Sequence, residues 1–238
     1  MEYFYTPPPH ISSDSLTIDG DEFAHLTHVM RKKAGDSIRV VDGVGNAYDA
    51  TIVEIAKRTA RCRIEKRYQR LHEPENSVTI AAGVLKNSSN FDFLIEKCTE
   101  LGVSAFIPLF TERTISHHAK TDRGQKLALA AMKQCTRSVL PKVHDAKRFD
   151  EFLSSIPSSS LKIIPHEKVE SPTIAEVVEK AKHDSIVICI GPEGGFSDEE
   201  IAAAQVAGFI PVSLGQRRLR TETAAIVAAA FSVMQQSQ

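Results

Sequence analysis

The sequence predicts a two-domain α+β protein, a small β-barrel module over residues 1–72 followed by a parallel α/β domain over residues 73–238. Three observations predict it. Before residue 70 the apolar residues alternate in short runs broken by turn signals, the pattern of a small barrel or meander. From Val78 onward, short runs apolar on both faces alternate with helical segments, which implies a parallel sheet covered by helices on both sides. Between the two lies QRLHEPENS (69–77), polar and proline-bearing, which reads as a linker.

In the first module the strands are SIRVVDG (37–43), AYDATIVEIA (47–56) and TARCRIEKR (59–67), divided by turns at Gly43-Val44-Gly45-Asn46 and Lys57-Arg58. DEFAHLTHVMR (21–31) reads as a helix with Phe23, Leu26, Val29 and Met30 on one face. In the second, VTIAAGVL (78–85), a helix over 89–101 and VSAFIPLF (103–110) form a strand–helix–strand unit. A helix over 120–138, the strand LKIIP (161–165), a helix over 173–182 and the strand SIVICI (185–190) follow. A helix over 198–207, the strand FIPVSL (209–214) and a final helix over 221–235 complete the domain.

With 42% hydrophobic and 25% charged residues over 238, the composition is that of a water-soluble globular chain. No apolar run approaches the roughly 18–20 residues that span a bilayer, so no membrane role is expected. The start, MEYFYTPPPH, carries an acid and no apolar core of a signal peptide. Cys62, Cys98, Cys135 and Cys189 form no CxxC pair, which suggests free thiols in the cytoplasm and no structural metal. The pair His117-His118 reads as a solvated loop. A net charge of −1 excludes nothing, but its distribution is uneven: seven basic residues and one acid lie between Lys57 and Arg70, and Arg217, Arg218 and Arg220 form a second knot. The first group fits either a polyanion surface or a solvated strand edge that resists aggregation.

In open parallel sheets, ligands sit at the carboxyl ends of strands, and three such ends are unusual here. They are Ile164-Pro165-His166-Glu167, then GPEGGF (191–196), then LGQRRLRTET (214–223). GPEGG lacks both GxGxxG and GK[ST] spacing, and Glu193 stands mid-loop, where at ~4 Å it opposes a phosphate by about 1–4 kcal/mol. A nucleoside triphosphate is therefore disfavoured, and a neutral or cationic ligand meeting backbone groups suits the loop better. Pro192 stiffens the turn, while Gly194 and Gly195 permit close approach or positive φ. Ser197-Asp198-Glu199-Glu200 is a capping box, so Ser197 and Glu200 are assigned to scaffold. Gly215 can turn the chain after its strand, Thr221 or Thr223 can cap the last helix, and Glu222 sits in its first turn.

Together, GPEGGFSDEE and LGQRRLRTETAA resemble the SPOUT methyltransferases, specifically the 16S rRNA uridine-N3 methyltransferase family (RsmE). HLTHVMRKKAGDSIRVVDGVGNAYDATI (25–52), LIEKCTELGV (94–103), PLFTERT (108–114) and KQCTRSVLPKV (133–143) agree in the same order, over nearly the whole chain. The resemblance implies a PUA-like β-barrel in front of an α/β SPOUT domain with a C-terminal trefoil knot, which topology rules alone would argue against. It implies a homodimer, and as partner the 16S rRNA or the small ribosomal subunit. It also implies that Ile164, Pro165, Ile190, Gly191, Glu193, Gly194, Gly195, Leu214, Gly215, Leu219, Arg220, Thr223 and Ala224 fold around S-adenosyl-L-methionine. That cofactor is cationic and carries no phosphate, so Glu193 is tolerable beside it.

The reaction so implied is methylation of uracil N3, in the decoding region, on an unpaired or flipped uridine. N3 must lose a proton, and the resulting anion needs stabilising. Arg220, Glu222 and Arg137 are the catalytic candidates, with Glu100 and His166 also open as the base. His25, Arg31, Arg61, Arg63, Arg67, Arg113 and Arg137 are the candidate RNA contacts. The alternatives are a non-catalytic RNA-binding or ribosome-assembly factor, or a related enzyme acting on a ribose hydroxyl or another RNA base.

Overall fold

The computed structural model describes residues 3–116, 119–180 and 183–234. The expected His117-His118 loop lies outside the described residues, as do the ends of the helices expected at 173–182 and 221–235. The chain divides into two compact units, Met1–Glu73 with Leu129–Leu140, and Pro74–Ala128 with Pro141–Gln238. Segment 129–140 therefore groups with the first unit.

The first unit is a five-stranded sheet in the order β1-β3-β4-β5-β2. Its strands are β1 (Tyr3–Tyr5), β2 (Ser15–Ile18), β3 (Ser37–Val41), β4 (Asn46–Ile55) and β5 (Ala60–Gln69). Neighbours pair antiparallel except β1 with β3, which is parallel. Period-two alternation puts Phe4, Leu16, Ile18, Ile38, Val40, Ala50, Ile52 and Cys62 in one core. The register of β4 against β5 shifts twice, between Asp49 and Ala50 and between Ile52 and Glu54, and such bulges add twist and curvature.

The expected helix over 21–31 is two pieces, α1 (Gly20–Ala24) and a π turn (His25–Val29) closed by Met30 N–H donating to His25 O. The wider turn rotates the face by a residue, so Leu26 is buried while Val29 is 68% exposed, against the expected stripe.

The second unit holds a parallel sheet in the order β12-β10-β11-β6-β7-β8, with β9 also on β7. Its strands are β6 (Ser77–Gly83), β7 (Ala105–Phe110), β8 (Lys142–Val143), β9 (Lys147–Arg148), β10 (Leu161–Pro165), β11 (Ser185–Ile190) and β12 (Ile210–Val212). Its helices are α2 (Ser88–Leu101), α4 (Phe149–Ser155), α5 (Ile174–Lys180), α6 (Asp198–Val206) and α7 (Thr221–Met234), while α3 (Thr121–Gln134) has residues in both units. One face packs Val187, Cys189, Ile107 and Ile164 against Phe149, Phe152, Ile201 and Ala204 of α4 and α6. On α7 rest α2 and α5, and α7 itself lies on β6 and β11. Both faces of β11 are thus covered, which is why SIVICI is apolar throughout. α3 ends at Gln134, short of the expected 138, because Thr136 takes φ 62°, a left-handed conformation no helix continues.

Cys62, Cys98, Cys135 and Cys189 are all thiols outside any disulfide, as expected. Burial pushes the Cys62 thiol up to about 12 and raises Cys98 and Cys189 as well, so all three are inert, uncharged core groups. Among the described residues no helix is long and apolar enough to cross a membrane.

Candidate active site

Five parallel strands of the second unit release their loops at one edge, and these loops enclose a cleft of about 880 Å³. Asn90 follows β6, Arg113 follows β7, and Pro165, His166, Glu167 and Lys168 end or follow β10. Ile190–Glu193 and Gly195, Phe196 and Asp198 follow β11, and the run 214–222 with Ala224 follows β12. A parallel sheet places its ligand at such a carboxyl edge, where every loop opens the same way.

The GPEGG loop is held at each of its residues. Gly83 of β6 takes the weight of Pro192: a Cβ there would lie 2.6 Å from the proline nitrogen. The Thr221 hydroxyl donates to Gly191 O at 2.9 Å, tying the first turn of α7 to the loop. Thr221 is therefore a strap between two loops, where the sequence suggested only a helix cap. Glu193 Oε1 accepts from Lys86 N–H at 3.0 Å. Arg113 Nη1 donates to Gly194 O, and Gly195 N–H to Pro192 O, each at 2.9 Å. Downstream, Ser197 and Glu200 form the expected capping box, and the Glu200 carboxylate also accepts from Glu112 N–H at 2.8 Å.

Gly195 and Gly215 take φ of 70° and 104° and meet nothing within 4 Å where a side chain would begin, so a ligand can lie directly on their backbone. Gly215 N–H is additionally fixed by Ser213 Oγ at 3.1 Å. Ile190, Leu214 and Leu219 supply the apolar wall. This donor set suits a flat heterocycle and a cation, and holds no phosphate cradle, so the residues present fit S-adenosylmethionine.

Of the expected cofactor residues, Pro165, Ile190, Gly191, Glu193, Gly195, Leu214, Gly215, Leu219, Arg220 and Ala224 line the cleft. Ile164 does not; its side chain belongs to the core under α6. Gly194 lies beneath Arg113, and Thr223 is exposed on α7 outside the lining. Arg220 and Glu222 both line the cleft, and so does His166. Glu100 does not: it pairs with Lys97 at 2.8 Å on α2. Sequence reasoning missed Lys168 and Asp198, which meet at 2.6 Å on the rim, and Arg218–Glu167 at 3.6 Å. The Lys168 hydrogen bond and then its charge hold the Asp198 carboxyl below the usual range, with smaller help from His166 and Arg113. No spacing in the sequence relates these positions; only strand order joins them.

In the first unit the candidate RNA contacts separate. Arg31 is exposed at φ 52°, and His25 opens the π turn with its ring edge-on to Phe4 at 5.9 Å. Arg61 and Arg63 project from β5 on its outer face, near Glu54 at 3.8 Å and Glu65 at 3.0 Å. Arg67 folds back, donating to the Ser12 and Ser13 carbonyls and lying over the Tyr48 ring at 5.5 Å. Arg137, expected as a catalytic and RNA candidate, is found buried in the first unit. It is 2% exposed and donates Nε and Nη2 to Glu73, at 3.1 and 2.7 Å to Oε2. Glu73 also accepts from Ser138 and Val139 N–H, at 2.7 and 2.8 Å, so this arginine is a buried structural cation.

Comparison with known proteins agrees with this geometry. Residues 72–233 match the RNA methyltransferase domain family, and residues 18–65 match the RNA methyltransferase PUA domain. The fold and cleft thus define an RNA methyltransferase carrying a PUA-like module. The ribosomal RNA small subunit methyltransferase E of Synechocystis is 34% identical over 94% of this chain and 74% of that protein. That of Bacillus subtilis is 29% identical over 90% and 88%. A crystal structure of ribosomal RNA small subunit methyltransferase E from Neisseria gonorrhoeae bound to S-adenosyl methionine superposes with TM-score 0.87 at 31% identity, covering 97% of this chain and 95% of that one. The chain belongs to the ribosomal RNA small subunit methyltransferase E family.

Proposed function

We propose that this protein transfers a methyl group from S-adenosylmethionine to N3 of a uridine in the decoding region of 16S rRNA. The observation that carries this is the cleft itself: GPEGG and QRRLR, far apart in sequence, form facing walls of one pocket in a chain of this family. The cofactor, when bound, supplies an electrophilic methyl group.

Each remaining role falls to the chain's own residues. Glu193 balances positive charge at the loop while its carboxylate is oriented by Lys86 N–H. Arg220 stabilises the negative charge that uracil carbonyls gain when N3 is deprotonated, as a preformed cation in a partly enclosed site. Glu222 takes the N3 proton. It lines the cleft without a hydrogen bond or ion pair among the described residues, whereas Glu167, Asp198 and Glu193 are already engaged. His166 is the second candidate for that proton. Arg31, Arg61 and Arg63 hold RNA phosphates, which position a substrate without reading its sequence.

The protein acts as a homodimer in the cytoplasm. α2 and α7 pack together and leave Phe93, Phe231 and Met234 exposed, apolar surface of the kind a second copy would cover. The passage of 214–220 beside the GPEGG loop is the part of the chain assigned to the trefoil knot. Nucleoside mass spectrometry of small-subunit rRNA, from cells with and without this protein, tests the function. Loss of 3-methyluridine alone is the expected result, and an unchanged nucleoside profile would contradict it.

A further inference from the structure

The expectation for Arg113 was an RNA contact, but its side chain is used within the cleft wall. Its stem crosses Gly194 so closely that a Cβ there would lie 3.1 Å from Arg113 Cβ and 3.4 Å from Cδ. Gly194 is not in the left-handed region, so glycine at 194 answers to the arginine above it, not to backbone conformation. Arg113 is itself carried by a rigid turn. Thr111 N–H donates to Thr114 Oγ1 at 2.9 Å, Thr114 N–H to Thr111 O at 3.1 Å, and Glu112 N–H is held by Glu200.

What Arg113 grips is one peptide unit. The carbonyl of the Gly194–Gly195 peptide accepts from Arg113 Nη1, and the N–H of the same peptide donates to Pro192 O, each at 2.9 Å. A peptide between two glycines rotates between its two orientations with little steric resistance, since no Cβ opposes it. A flip would reverse the dipole this peptide presents at the open Gly195 side of the cleft. The turn bond alone is a neutral one; the charge-assisted bond from Arg113 is the stronger of the two restraints.

We propose that Arg113 is a positioning residue that locks the Gly194–Gly195 peptide in the orientation the methyl donor requires, rather than a residue that contacts RNA. For the identity of that donor the inference rests on the function proposed above; the lock itself does not.

Two measurements on the full-length protein test it. Hydrogen exchange without any ligand reads the lock directly: Arg113→Ala is expected to speed exchange at Gly195 and Phe196, and Arg113→Lys, which keeps one donor within reach of the carbonyl, to restore most of the protection. Calorimetry with S-adenosylmethionine is expected to show affinity about 3- to 10-fold weaker in Arg113→Ala and near wild type in Arg113→Lys, the range for one solvent-touched charged hydrogen bond. A thermal melt confirms that both variants fold. Unchanged exchange and cofactor affinity in Arg113→Ala, with a raised KM for RNA, would overturn the lock and return Arg113 to the RNA surface. A wild-type protein that binds no S-adenosylmethionine would refute the proposed function instead, and the exchange comparison would still decide the lock.

Discussion

Three arginines of the first unit and two in the cleft of the second are used in opposite ways. In the first unit Arg39 lies between Tyr68 and Tyr3 and pairs with Asp49 at 2.6 Å, Arg67 is folded onto carbonyls, and Arg137 is buried against Glu73. In the cleft of the second unit, Arg217 and Arg220 are exposed, and their side chains have no hydrogen bond or ion pair among the described residues. An arginine already saturated by protein acceptors holds the fold, and one left open at a pocket is available to substrate. Residue type and local clustering do not distinguish the two; the positions of the carboxylates and carbonyls do.

The sharpest test of this contrast is Arg220→Ala. It is expected to lower turnover by about 10²–10³-fold, as for removal of a preorganised charge-stabilising group, with the melting temperature unchanged. Turnover within twofold of wild type would erase the contrast from the catalytic side. Arg137→Met probes the other side. Leaving Glu73 without its buried counter-charge is expected to destabilise the first unit by about 3–5 kcal/mol in chemical denaturation. A wild-type denaturation midpoint would mean that this arginine is not structural.

How much of this was legible in the sequence depends on which physical signal each part carries. Apolar alternation and the two-faced strands marked the β module, the parallel sheet and the strand ends that carry loops, and the capping box was readable because its residues are three apart. The resemblance supplied the cofactor. The π turn at His25–Val29 was not legible, since one extra residue per turn leaves the composition of the stripe unchanged. Nor was the fate of Arg137, whose partner Glu73 is 64 residues away. Gly83 under Pro192 and the Lys168–Asp198 rim pair are likewise products of strand order, which places β6 and β10 on either side of β11 with no local signature.

Smaller effects refine the comparison. Thr221→Val removes the strap to Gly191, worth about 1 kcal/mol, and is expected to weaken cofactor binding by roughly fivefold in calorimetry. Asp49 concerns acid stability. Its burial raises the carboxyl, but hydrogen bonds from Tyr68 and Arg39 outweigh this and leave it below its ordinary value. Its contribution is therefore present above the unfolded carboxylate pKa and lost as pH falls through the lower folded value. Asp49→Asn should flatten that part of the acid limb in pH-dependent melts, and an unaltered acid limb would remove Asp49 from it. Smallest is the outer face of β5. Changing Arg61 and Arg63 to Ala should weaken RNA binding modestly and reduce the magnitude of the salt slope by about 1–2, while Arg67→Ala leaves the slope alone. An identical slope in all three proteins would return that face to a solvated strand edge.

One chemical event in the cleft of the second unit defines the proposed function. Small-subunit rRNA incubated with the purified protein and methyl-labelled S-adenosylmethionine, digested and resolved by nucleoside mass spectrometry, reads that event directly. Label is expected on N3 of uridine at a single position in the decoding region. Label on a ribose hydroxyl, on another base, or nowhere in the RNA would contradict it.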